Sequence, residues 1–364
     1  MTMNVTRSWV DELAPGLGSV ETTTRIDNSS HPSPMAMPAK FYLGVDISLL
    51  ILQALSFTGN GFIILLFLGT TRLRRNTSLR LLLLLCMTDF VFAISTLPYT
   101  INYVVGWNPI MFDYDPMYII TSSIPLVVQF KVNLIITIMI AVDRLQAMKA
   151  PAYYRGKNQM RFVWLTLAIG LILGAIDVVL EYHTTTFNIR KLNCAAIGCH
   201  QDPGFRAYWG ISNMALNTVA LILTLWVAVE LNRIRGKSSN GTLGKRDFKQ
   251  MSQLPAICSS DNKNNYFQAN KLSFGILVIS FVFLMVPSTF VGVVELAGLE
   301  LFKIIGPFYI LGLLAAGVSN SIVYIRLHVE LKQAAVQLVK YRSFKQEATS
   351  VVNIAPTTTV PEGF

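Results

Sequence analysis

Hydrophobic residues occur along the chain in seven long runs, separated by short polar connections. The runs cover about residues 43–70, 79–103, 117–148, 161–182, 207–232, 270–296 and 303–326. A helix needs roughly 20 mostly apolar residues to cross the hydrocarbon of a bilayer, and every run is long enough. A stretch such as LRLLLLLCM lacks the alternation of a transmembrane β-barrel strand, and isolated strands leave backbone groups unpaired in lipid. The pattern therefore predicts an all-α membrane protein, a seven-transmembrane helix bundle.

Polar segments flank this predicted bundle. Residues 1–42 are rich in Pro, Ser and Thr and are expected to form a disordered extracellular tail, followed by the transmembrane domain at 43–326. Residues 327–345 place apolar side chains at helical spacing with basic residues among them, which favours a short amphipathic helix on the membrane surface. A plain solvated helix is the alternative. Residues 346–364 are expected to be a disordered cytoplasmic tail.

The distribution of charge predicts how the bundle is oriented. Only 14% of the residues are charged, against about 25% in soluble proteins. Of the 30 Lys and Arg, 22 lie in the connections after the first, third and fifth runs and in the C-terminal segment. Basic residues collect on cytoplasmic loops. We therefore expect the N-terminus outside the cell, and we attribute the net charge of +10 to the membrane surface rather than to a nucleic-acid partner.

Glycosylation sequons agree with this orientation. Asn4 and Asn28 begin sequons in the N-terminal tail, where an extracellular sequon is modified. Two further sequons, at Asn76 and Asn240, fall in connections expected to be inside the cell and should be unmodified.

Polar side chains inside membrane helices are costly, so each is a candidate for function. Asn60, Asp89, Asn133 and Asn320 lie in the first, second, third and seventh runs at comparable depths. One cluster containing all four is expected. It is either a switch that holds water or a cation, or a static polar contact that joins the helices.

Lys131 is, with Asp89, one of two charges expected near mid-span. It lies 13 residues before Arg144, which is about 20 Å along a helix and places it in the outer half of the membrane. Two interpretations remain open. Lys131 pairs internally with Asp177 or Glu295, or it binds the carboxylate of an acidic ligand.

Six motifs, taken in order, resemble those of rhodopsin-like G-protein-coupled receptors. They are Gly59-Asn60; Leu85-Cys86-Met87-Thr88-Asp89; Asp143-Arg144-Leu145; Trp164; Phe281, Met285 and Pro287; and Asn320-Ser321-Ile322-Val323-Tyr324. The resemblance covers about residues 45–345. It implies that Asp143 and Arg144 couple to a heterotrimeric G protein. It also implies an activation switch made of Asp89, Asn133, Asn320, Tyr324, Met285 and Phe281.

The chain also departs from that pattern. Leu145, Met285 and Ser321 replace a tyrosine, a tryptophan and a proline, and no cysteine begins the third run. No acidic residue precedes the sixth run where Arg144 would meet it, since Phe267 is near that place. A strong ionic latch between the third and sixth helices is therefore not expected.

The second outer loop is similar to that of nematode serpentine receptor class BC. The stretches in and just after the loop are Cys194-Ala195-Ala196-Ile197-Gly198-Cys199 and Tyr208-Trp209. Similar stretches elsewhere are Met148-Lys149-Ala150-Pro151, Ala269-Asn270-Lys271-Leu272, the Pro287 region and Gly306-Pro307-Phe308-Tyr309. That family is regarded as chemosensory, and some members are linked to ascaroside pheromones. The resemblance implies a plasma-membrane receptor for an extracellular small molecule, with chemosensory cilia as one location to test. A receptor for a neuropeptide or another transmitter is the alternative, and a transporter or channel is favoured less because no internal repeat is seen.

The resemblance also bears on the ligand. Ascaroside-like molecules carry an acidic side chain and an apolar stem, which would suit Lys131 with Gln129, Phe130 and Trp209 around it.

No cluster of His, Cys or carboxylates has the spacing of a metal or nucleophile site, so no enzyme activity and no cofactor are expected.

The outer loop contains two cysteines close together, Cys194 and Cys199. Both are expected outside the cell and without other partners, which predicts a local disulfide. Two free thiols are the alternative, because cysteines this close do not always have bridging geometry.

Overall fold

A computed structural model shows the fold of residues 38–187, 191–239, 272–296 and 308–341. In these ranges seven helices are long and apolar enough to cross a membrane. We name them span 1 to span 7 in chain order: Ala39–Gly69, Thr77–Val105, Pro116–Lys149, Gln159–Thr184, Pro203–Arg233, Leu272–Phe290 and Tyr309–Leu327. The predicted all-α bundle is confirmed, and the described residues form no strand.

Several helices differ in extent from the seven predicted runs. The helix of span 5 continues to Ser239, beyond the predicted end at 232, whereas that of span 6 ends at Leu296, as predicted. The first residues of the predicted seventh run lie outside the described residues, and the described part of its helix is Phe308–Leu327. Span 1 begins at Ala39, so the last residues of the predicted N-terminal tail belong to it. Short helices Thr71–Arg75, Pro151–Gly156 and Ile197–His200 lie in the connections.

Two spans have an irregular turn beside a proline. Span 2 breaks at Thr96, just before Pro98, and resumes as Leu97–Val105. Span 6 contains a π-helical turn at Phe281–Met285, two residues before Pro287. Proline removes a backbone donor and its ring clashes with the preceding turn, and such turns often occur at functional sites.

Span 3 is the central helix of the bundle. In its most apolar stretch 72% of the residues are buried within the protein, against 22% for span 4 and 17% for span 5. Glycines let span 4 approach span 3 closely: a Cβ added at Gly174 would lie 3.0 Å from the Cα of Val128, and one at Gly170 would lie 3.0 Å from the Cα of Val132. We call the side where span 1 begins the Ala39 face and the opposite side the Arg144 face.

A short helix follows span 7, as predicted. It runs over Val329–Tyr341, and its buried Leu331, Ala334 and Ala335 pack against the bundle. Its Glu330 forms an ion pair with Arg72 in the first connection, with a nitrogen–oxygen distance of 2.7 Å. The helix is therefore attached to the Arg144 face by both apolar and charged contacts.

Candidate functional site

A buried carboxylate, Asp89 of span 2, lies at the middle of the bundle. Its Oδ1 accepts hydrogen bonds from Gln129 Nε2 at 3.1 Å and from Asn133 Nδ2 at 3.5 Å, both in span 3. Asn320 of span 7 approaches the same carboxylate. Asp89 Oδ2 has no partner in hydrogen-bonding geometry among the described residues. Three of the four residues expected in this cluster are therefore together, and Gln129 joins them.

Asn60 lies beside the cluster and connects spans 1 and 7. Its amide donates to the backbone oxygens of Ser56 and Gly317, at 3.0 and 3.4 Å. A Cβ at Gly317 would lie 2.9 Å from Ser56 Oγ and 3.4 Å from the Asp89 side chain. Only a residue without a side chain lets span 7 approach both helices this closely.

Lys131 points away from Asp89, toward spans 4 and 5. Its ammonium donates to Ser212 Oγ at 2.6 Å and lies 3.4 Å from Asp177 Oδ2. Tyr208 Oη donates to the other Asp177 oxygen at 3.1 Å. Of the two internal partners considered, the structure brings Asp177 to Lys131, while the side chain of Glu295 lies outside the described residues.

Gln129 is not beside Lys131, contrary to expectation. Residues two apart on an α-helix point in directions about 200° apart, so the two side chains face opposite sides of span 3. Gln129 therefore belongs to the Asp89 cluster.

The other two residues expected around Lys131 belong to a buried aromatic cluster. Phe130 and Trp209 have ring centroids 5.3 Å apart, and Tyr309 of span 7 lies 5.2 Å from Phe130 and 5.0 Å from Trp209. Trp209 also approaches Asp177. The aromatic surface and the Lys131–Asp177 pair thus adjoin each other at Trp209.

The loop between spans 4 and 5 packs over the bundle at the Ala39 face. Cys194 and Cys199 form a disulfide, with Cα atoms 6.2 Å apart, and Ala195 and Ile197 are buried in the main core. Asn193 exchanges hydrogen bonds with Phe112 of the preceding loop. Burial, followed by the charge of Lys191, lowers the pKa of His200 to about 4, so this histidine is neutral at physiological pH.

Met285 and Phe281 of the predicted switch line one small cavity between spans 3, 5 and 6. Thr137, Ser280 and Asn217 supply its polar lining. Thr137 Oγ1 and Ser280 Oγ lie 3.3 Å apart. Tyr324 is elsewhere: it lies beside Cys86 in a second cavity, nearer the Arg144 face.

Arg144 is held by its neighbour Asp143, by the start of span 2 and by the connection between spans 3 and 4. Its guanidinium donates to Asp143 at 2.6 Å, to the backbone oxygen of Ser78 at 3.2 Å and to Tyr154 Oη at 3.4 Å. Asp143 also accepts from Tyr154 at 3.1 Å and lies 3.5 Å from Lys157 Nζ. Burial lowers the pKa of Lys157, and the Asp143 carboxylate opposes that shift.

Sequence reasoning missed several buried polar residues. Asp46 and Glu181 lie within spans 1 and 4 and are 3% and 0% exposed, so Asp89 and Lys131 are not the only charges inside the helices. A signal for Asp46 was present, because Asp46, Gln53, Ser56 and Asn60 recur on one face of span 1. The contacts of Tyr154 and Lys157 with Asp143 follow from the shape of a loop and leave no periodic signal.

Other predicted features lie outside the described residues. They include the sequons at Asn4 and Asn28, and Phe267 before span 6. Within the described ranges, no group of three or more His, Cys, Asp or Glu side chains has the arrangement of a metal site.

Seven spans around a buried polar centre, with an Asp-Arg pair at one face, define the class as a seven-helix receptor of the G-protein-coupled type. The chain belongs to the family described as "Serpentine type 7TM GPCR chemoreceptor Srbc", whose model matches residues 41–330. The fold is similar to that of squid rhodopsin, with a TM-score of 0.56 and 17% identity, over 84% of this chain and 87% of that one. No curated protein matches the sequence. The family is that of nematode chemoreceptors, and the protein is a multi-pass membrane receptor.

Proposed function

We propose that this receptor binds an acidic small molecule of the ascaroside type at Lys131, from the extracellular side, and activates a heterotrimeric G protein at Arg144. Membership of a chemoreceptor family supports a small-molecule ligand. The observation that supports an acidic ligand is the position of Lys131. This cation is only 3% exposed and lies beside the aromatic cluster.

The hydrogen bonding of Lys131 leaves capacity for a ligand. Its shortest bond goes to the neutral hydroxyl of Ser212, and Asp177 is 3.4 Å away, beyond the 2.7–2.9 Å of a charge-assisted hydrogen bond. An ammonium group has three donors. A ligand carboxylate would compete with Asp177 for Lys131, and its apolar stem would pack against Phe130 and Trp209.

The orientation completes the proposal. The excess of Lys and Arg in the connections at the Arg144 face supports a cytoplasmic location for that face. Lys131 then lies in the outer half of the membrane, and Arg144 lies where a G protein reaches the receptor. The plasma membrane, including that of chemosensory cilia, is the proposed location.

The test is expression in cells that carry a panel of G proteins, challenged with ascaroside carboxylic acids and their methyl esters. Lys131→Met should reduce the potency of the acids by roughly tenfold or more, about 1.4 kcal/mol, and leave the esters much less affected. Asp177→Asn removes the competing carboxylate and should raise the potency of the acids. Lys149→Met, the same change at an exposed position of span 3, is the matched control.

Loss of folding must be separated from loss of binding. Lys131→Met leaves the Asp177 carboxylate buried without its cation, which is destabilising, whereas the double variant with Asp177→Asn removes both charges. Unchanged potency of the acids at a double variant that reaches the surface normally would overturn the role of Lys131. A ligand-evoked current that survives G-protein blockade would instead indicate a channel.

A further inference from the structure

The small cavity between spans 3, 5 and 6 has both a polar lining and a defined size. Thr137 of span 3, Asn217 of span 5 and Ser280 of span 6 line it, together with apolar side chains such as that of Met285. The cavity offers about 10 Å³ to the centre of a water-sized sphere. One bound water needs roughly 10–15 Å³ of such space. The size of the cavity therefore suits a single water molecule rather than a larger ligand.

The polar residues of this cavity are buried, with exposures of 1% for Asn217, 3% for Thr137 and 6% for Ser280. The amide nitrogen of Asn217 has no partner in hydrogen-bonding geometry among the described residues. A buried donor without an acceptor is destabilising, and buried water commonly supplies the missing partner. The amide of Asn217 therefore indicates that a hydrogen-bond acceptor belongs in the cavity.

Hydroxyl groups from the other two spans supply acceptors for such a water. Thr137 Oγ1 and Ser280 Oγ lie 3.3 Å apart, so one of them donates a hydrogen bond to the other. Each hydroxyl oxygen has two lone pairs, which leaves both residues able to accept a further bond. A water in the cavity can thus accept from Asn217 and donate to both hydroxyls. Three hydrogen bonds are typical of a buried water.

We propose that Asn217, Thr137 and Ser280 bind one water molecule, which links span 5 to spans 3 and 6. The hydroxyl of Thr137 also lies 3.5 Å from Asn133 Oδ1, and the amide nitrogen of Asn133 lies 3.5 Å from Asp89 Oδ1. The water therefore extends the Asp89 cluster of spans 2, 3 and 7 to the two remaining helices of this cavity. The site is separate from the proposed ligand site and does not depend on it.

X-ray radiolysis of the purified full-length receptor, without any ligand, tests the site. Radiolysis converts water into hydroxyl radicals, which oxidise the side chains beside that water, and mass spectrometry gives the oxidation rate of each residue. Met285 lines the cavity and is only 7% exposed, and it should be oxidised in the wild type. Cys86 is the internal control. It is buried beside the second cavity, which offers about 0 Å³ to the same sphere, so its reactive thiol should be oxidised far more slowly.

Variants show whether the water binds at these side chains. Asn217→Leu removes the amide and fills the cavity, so the oxidation rate of Met285 should fall to that of the control thiol. Thr218→Leu, at the next and exposed position of span 5, should keep the wild-type rate. Thr137→Val/Ser280→Ala removes both acceptors and should also slow the oxidation, which applies even where Asn217→Leu does not fold. A wild-type rate no faster than that of the control thiol, or an unchanged rate in a folded cavity variant, would overturn the proposal.

Discussion

Asp89 accepts hydrogen bonds from two amide groups of span 3, so its charge is important for how spans 2 and 3 meet. Asp89→Asn removes the negative charge and, when its oxygen stays toward Gln129 and Asn133, puts an amide donor in the buried place of Oδ2, near Asn320. Leaving a buried group unpaired costs about 1–3 kcal/mol. That is enough to change the balance between inactive and active forms about tenfold.

We therefore expect Asp89→Asn to alter basal activity or the ligand dose response, as measured by G-protein activation in cells. Asp113→Asn, the same change in an exposed loop, serves as the control. Unchanged basal activity and an unchanged dose response would show that the cluster only joins the helices.

The side chains that bind Arg144 also bind one another, so they keep partners when Arg144 is removed. Arg144→Ala should abolish signalling, because the proposed contact with the G protein is lost. It should leave the amount of receptor at the surface unchanged, since Asp143 keeps Tyr154, Lys157 and Gln159 as partners.

Signalling and surface labelling are measured together for this prediction. Arg161→Ala changes an exposed arginine on the same face and should leave signalling intact. A normal ligand response in Arg144→Ala would mean that this arginine only anchors the end of span 3.

At the scale of elements, the loop between spans 4 and 5 depends on its disulfide. The ring between Cys194 and Cys199 holds Ile197 in the core, and closing so small a ring stabilises a fold by roughly 2 kcal/mol or less in the chain-entropy description. Cys194→Ser/Cys199→Ser should therefore lower the melting temperature, and a reductant should lower it for the wild type only.

Peptide mass spectrometry without reduction provides the direct measurement for this loop. It should find a single tryptic peptide that contains both Cys194 and Cys199 and is lighter than its reduced form by the mass of two hydrogen atoms. Alkylation of both cysteines without prior reduction would contradict the disulfide.

At the scale of the whole molecule, the orientation can be measured with the sequons. With the N-terminus outside, a glycosidase should reduce the mass of the wild type, and Asn4→Gln/Asn28→Gln should remove that shift. Asn76 should be unmodified. Its side-chain oxygen already accepts hydrogen bonds from the backbone and hydroxyl of Ser78, at 3.2 and 2.7 Å.

An N-terminal epitope tag tests the same orientation independently. Antibody should label the tag on intact cells, whereas a C-terminal tag should need permeabilised cells. Labelling of only the C-terminal tag on intact cells would reverse the orientation, and with it the proposed roles of Lys131 and Arg144.

Much of the fold could be predicted because its signals are local. The length of each apolar run determines whether that run can cross a bilayer. The basic residues of each connection favour the cytoplasmic side, whichever helices pack beside it. The short helix after span 7 was also evident from the spacing of its apolar residues. The motifs around Asp89 and Arg144 indicated the receptor class before any contact was known, and the family match confirmed it.

The sequence by itself determined the seven helices and the receptor class, whereas only the tertiary structure decided which polar groups meet. Sequence reasoning left Asp177 and Glu295 open as partners of Lys131, and the close approach of span 4 at Gly174 brings Asp177 to it. Helical periodicity specifies which residues share a face of one helix, but not which neighbour that face meets. The rotation and separation of neighbouring helices depend on side-chain packing between segments distant in sequence. For this reason the partners of Gln129 and the polar lining of the cavity between spans 3, 5 and 6 became visible only in the folded bundle.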